Sequence, residues 1–74
     1  MNNGNNKKLG MYFLQQTQVL SQNNAISMEE RLLISSCIQE GMRTGNFERL
    51  TAALFEILET TTLPEVVEGM LLEI

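Results

Sequence analysis

Histidine, aspartate and tryptophan are absent from this 74-residue chain, and cysteine and proline occur once each. Without histidine, no conventional pairing of a general base with a nucleophile can be assembled. Without histidine and aspartate, most zinc and calcium ligand sets are also missing. A single cysteine excludes an internal disulfide. Cys37 stands in mid-segment among Ile34, Ser36 and Ile38, with no histidine to activate it. It is therefore predicted to be a small buried residue rather than a reactive thiol. A glycine-rich phosphate loop is lacking too, because Gly41 and Gly45 stand within and at the end of an apolar-striped segment. These absences predict a protein that is not an enzyme and uses no metal or cofactor.

Long apolar runs are missing as well. The first eight residues are polar after Met1, and the run that follows is cut by Gln15, Gln16 and Gln18. A signal peptide or a membrane span needs a longer uninterrupted stretch. The expectation is a cytoplasmic protein with no membrane partner. Aromatic residues are only 5% of the chain, so the core must be built mainly from leucine, isoleucine, valine and methionine.

Charge is scarce and uneven. Residues 1–45 carry four basic and three acidic side chains, whereas residues 46–74 carry Arg49 alone against six glutamates; the net charge is −4. An acidic half of this kind repels phosphate and argues against nucleic acid as a partner. It suits a basic protein surface, or simply keeps the domain soluble.

What remains is helical patterning. Residues 1–8 are Asn-rich and are predicted to be a disordered leader, with a single helical bundle domain over 9–74. The first helix is expected from about Leu9 to Ser21, with Leu9, Tyr12, Phe13, Gln16, Val19 and Leu20 on one face. The second opens on Ser27-x-x-Glu30, a reciprocal capping pattern. Its inward stripe is read as Leu33, Ile34, Cys37, Ile38, Gly41 and Met42, with Gly41 admitting close approach of another helix. Gly45 suits the left-handed position that ends a helix. Asn46 is the expected cap of the third helix, whose stripe is Phe47, Leu50, Ala53, Leu54, Ile57 and Leu58. The fourth carries a second capping pattern, Thr62 to Glu65, with Pro64 in its first turn. Leu63, Val66, Val67, Met70, Leu71 and Ile74 form its apolar stripe. The predicted architecture is all-α, a compact bundle of about four short helices.

A domain this small buries only about 60% of the surface that its unfolded chain exposes. With no disulfide and few metal ligands, burial against another chain is the remaining source of stability. Four large side chains, Met28, Leu32, Phe55 and Leu72, point off the inward stripes. Together with Glu56, Glu59 and Glu68 they are the candidate partner-binding residues.

From Ile26 onward the pattern resembles a harmonin-homology domain. The resemblance lies in Ser27-x-x-Glu30, the Leu33/Ile34/Ile38 stripe, Gly45-Asn46-Phe47-x-x-Leu50, Leu54, Ile57-Leu58, Thr60 and Val66-Val67-x-x-Met70-Leu71. It covers about two-thirds of the chain. The last helix departs from that family in having an all-acidic polar face. The resemblance implies an all-helical adaptor that receives peptide or helix segments of other proteins. The residues themselves support two readings. One is a docking module that binds a helix or peptide segment, or pairs with a second copy as a dimer, through exposed apolar side chains. The other is a small acidic regulatory or inhibitory protein of bacterial or phage type that covers a basic surface on its target.

Overall fold

Local signals at the chain's turns set where its helices begin and end. The structure, a computed structural model, describes residues 3–74. It contains α1 (Asn3–Gln22), α2 (Met28–Thr44), α3 (Glu48–Leu58) and α4 (Pro64–Leu72), with no strand among the described residues.

At the start of α2, the Ser27 hydroxyl accepts from the Glu30 amide at 3.1 Å. The Glu30 carboxylate accepts from the Ser27 amide at 2.7 Å. Two otherwise unpaired backbone donors are thereby satisfied, as the spacing predicts. The helix ends on Gly45, whose φ of 81° is open to glycine at no steric cost, and whose amide donates to the Gly41 carbonyl. Asn24, at φ 55°, ends α1 in the same left-handed region.

Three expectations about helix ends change. The first helix, expected from about Leu9, begins at Asn3, so residues 3–8 form the first turns of α1; residues 1–2 lie outside the described residues. Extending an existing helix is far cheaper than nucleating one, and Asn6 is half-buried beside Gly45 at the end of α2. Asn46 does cap α3, through its Oδ1, which accepts from the Glu48 amide at 2.8 Å; the last non-helical residue is nevertheless Phe47. The Thr62–Glu65 pattern forms no capping box. Leu63 precedes α4 with no side-chain cap, and Thr61 Oγ1 accepts from the Leu63 amide instead.

The four helices are arranged as a ring. α1 packs on α2 and α4, and α3 packs on α2 and α4. Phe13, Leu20, Ile34, Ile38, Leu50, Leu54, Val67 and Met70 are wholly buried at its centre. Phe13 meets Phe47 edge-to-face at 5.4 Å between ring centres, a favoured aromatic geometry.

The inward faces differ from the predicted ones at several places. Leu33 is 43% exposed, Val19 36% and Ile74 48%, so none of the three joins the core. Thr17 is buried in α1 instead, its hydroxyl donating to the Phe13 carbonyl at 2.7 Å. That bond removes the cost of burying it. Gly41 gives room not to another helix but to the Phe47 ring, which a Cβ there would overlap. Gly10 does the same for the Met42 side chain of α2.

The ring closes fully. The radius of gyration is 11.3 Å, against about 11 Å expected for a compact chain of this length. The accessible surface is 4767 Å², against about 4,600 Å² for a folded monomer of this mass.

Candidate interaction surface

The seam between α2 and α3 fixes what each helix shows to solvent. On either side of the Gly45–Asn46 turn the two helices pack on each other, and Arg49 on α3 pairs with Glu40 on α2. The Arg49 side chain is 61% exposed, so this pair marks the outer rim of the seam. Seven residues are almost two whole helical turns. Counting seven from each partner, away from the turn, places Leu33 and Glu56 on the same rim.

From that rim the other candidates can be located. Leu32 lies one residue from Leu33, rotated away from α3, with Met28 four residues before it on the same face. Phe55 lies one residue from Glu56, rotated away from α2 toward α4. The order across the outer face is therefore Met28 and Leu32, then Leu33, then Glu56, then Phe55. Met28, Leu32 and Phe55 are all more than half exposed. Ser36 and Ala52, small and exposed, lie between the larger side chains.

Two surface depressions lie along α1 and α2, meeting at Leu14. One is bordered by Ser36, Gln39, Glu40, Met42 and Arg43, the other by Thr17, Gln18, Ser21, Gln22, Arg31 and Ser35. Met28, Leu32, Phe55 and Leu72 border neither. Leu72, the last residue of α4, is 85% exposed and is not part of the α2–α3 face. Glu68 is exposed on α4, and Glu56 and Glu59 are exposed at the far end of α3 from the turn.

Leu33 is the residue that sequence reasoning missed. Leu32, Leu33 and Ile34 are consecutive, and periodicity alone does not say which of them faces out. The signal was present in Glu40 and Arg49, an acid and a base nearly equidistant from the Gly45 turn. Pairing them across a hairpin fixes the rotation of both helices.

Among the described residues, eight glutamates and four basic side chains lie outside any ion pair. Arg49–Glu40 is the one ion pair among the described residues. Glu30 is held in the capping box. Glu29, Glu48, Glu56 and Glu59 are exposed with no cationic partner. No three of the histidine, cysteine, aspartate and glutamate side chains gather as a metal site among the described residues. No helix there is long and apolar enough to cross a membrane.

Cys37 is 2% exposed on the inner face of α2. Burial pushes its thiol above the ordinary value; nearby Arg49 draws it down in part, and Glu40 adds to the rise. The neutral thiol is thus favoured in the folded state. Above about pH 9 the unfolded chain's thiol ionises while the folded one stays protonated, so stability falls as pH rises through that range. Urea titrations at pH 7 and pH 10 should show a larger loss of stability for the natural chain than for Cys37→Ala.

Comparison with protein-family models, with curated proteins and with solved structures finds no match to this chain.

Proposed function

We propose that this protein is a non-catalytic interaction module that docks another polypeptide through exposed apolar side chains. One observation carries the reading: the core closes to the compactness of a monomer and still leaves Met28, Leu32, Leu33, Phe55 and Leu72 in solvent. Single exposed apolar residues are ordinary, but so many on so small a domain are typical of a contact surface. The resemblance to harmonin-homology domains favours the same reading.

The double substitution Leu32→Ser with Phe55→Ser tests it. Both side chains are more than half exposed, so the thermal melt should stay within about 5 °C of the parent, as expected for surface changes. Affinity capture from source-cell extract should lose its specific partner. Unfolding on substitution would show the two side chains to be structural and would sink the reading.

The second reading, an acidic cover for a basic surface, is favoured by the unpaired glutamates of α3 and α4. Binding of that kind weakens steeply with ionic strength, whereas a mainly apolar contact does not.

A further inference from the structure

The apolar and acidic features of the α2–α3 hairpin coincide at one end, and that coincidence identifies the chemistry of an occupant. Met28, Leu32, Leu33 and Phe55 lie on the outer face of the half away from the Gly45 turn. Glu29, Glu56 and Glu59 lie in the same half, exposed and without cations to pair with. Of the hairpin's basic residues, only Arg31 reaches this end, through Met28. Arg43 is beside the turn, Arg49 is taken by Glu40, and Arg31 borders the α1–α2 depression, where it donates to Met28 Sδ at 3.3 Å. Ser36 and Ala52 are small and exposed. The surface is therefore an apolar strip interrupted by Glu56, with Glu29 and Glu59 at the end away from the turn.

We propose that this outer face of α2 and α3 binds an amphipathic helix whose apolar stripe is flanked by lysine or arginine. The proposal rests on the interaction reading above and names its partner class. A helix lying along the seam would set its apolar side chains over Leu33, between Leu32 and Phe55. Its cations would reach Glu56 beside the seam, and Glu29 and Glu59 at the end of the hairpin away from the turn. A second copy of this chain is a poor occupant, because two such faces would bring their free glutamates together.

The test uses the intact protein and three synthetic probes. The first is a leucine–lysine amphipathic peptide of roughly 18 residues. The second has the same leucine spacing with glutamate for lysine, and the third is a lysine peptide without leucine. Titration with the first, followed by amide chemical shifts, should perturb residues 28–36 and 52–59. Leu33→Ser should weaken that binding about tenfold or more, the loss expected when one buried leucine is removed. Leu72→Ser, off the face, should leave it unchanged. The other two peptides should bind far more weakly.

Perturbation centred on α4 or on α1 would overturn the proposal. So would equal binding of the glutamate peptide, or an unaltered affinity in Leu33→Ser. Sedimentation of the protein alone, across a concentration series, supplies the remaining arm. A dimer abolished by Leu33→Ser would make a second copy the occupant, defeating this proposal while sparing the broader one. The broader one fails separately, if Leu32→Ser with Phe55→Ser unfolds the domain.

Discussion

Phe13→Ala is expected to cost about 3–5 kcal/mol, the usual range for deleting a buried aromatic ring. A domain of this length has about 4–11 kcal/mol in total, so the variant should lose from about a quarter to all of its stability. Phe13 has no solvent exposure, and its ring meets Phe47 edge-to-face and Tyr12 at a tilt. It comes from α1, and Phe47 from the α2–α3 turn, so the pair ties the first helix to the hairpin. In so small a core no neighbour is large enough to collapse into the space. Urea unfolding followed by circular dichroism should give a midpoint lower by about 2 M or more, or a lost transition. A midpoint within about 1 M of the parent would show that the core repacks around the gap.

Gly41→Val is expected to lose about 3 kcal/mol, at the upper end of the range for overpacking. Helix propensity alone predicts the opposite sign, since valine is better than glycine inside a helix. Sterics win because the atoms in the way belong to the Phe47 ring, which is buried and held against Phe13. A flexible chain end could swing aside; this ring cannot. Gly69 is the control, because an added Cβ there meets only the Tyr12 hydroxyl at 3.6 Å, an ordinary contact. Gly69→Ala should therefore be neutral or stabilising in the same unfolding assay. Equal behaviour of the two variants would mean that the Phe47 ring is free to move.

These two sites also show where sequence patterning stops being informative. Gly41 was legible as a place of close approach, but the approaching group was expected to be a helix and is an aromatic side chain. Phe13 was legible as an apolar residue in a stripe, though nothing in its spacing marked it as the centre of the core. The candidate surface divides similarly. Met28, Leu32, Phe55 and Leu72 were legible as outward-pointing, and all four are exposed. Their grouping was not. Leu72 stands apart on α4, and Leu33 takes a place on the hairpin face that had been assigned to the core.

The sequence by itself determined the helices and most of their ends. Ser27 with Glu30, Gly45, Asn46 and Pro64 act within one or two turns of the backbone, so their effect is written in adjacent residues. Apolar periodicity likewise settled the all-α class. Tertiary structure decided which helices are neighbours, and with it the rotation of each helix about its own axis. That rotation sent Leu33 and Val19 outward and drew Thr17 inward. It also extended α1 back through residues that patterning had left outside the domain. Local sequence cannot specify it where apolar residues surround much of a helix, because several rotations bury similar area. The choice falls to contacts between residues far apart in the chain: Phe13 with Phe47, Gly10 with Met42 and Arg49 with Glu40.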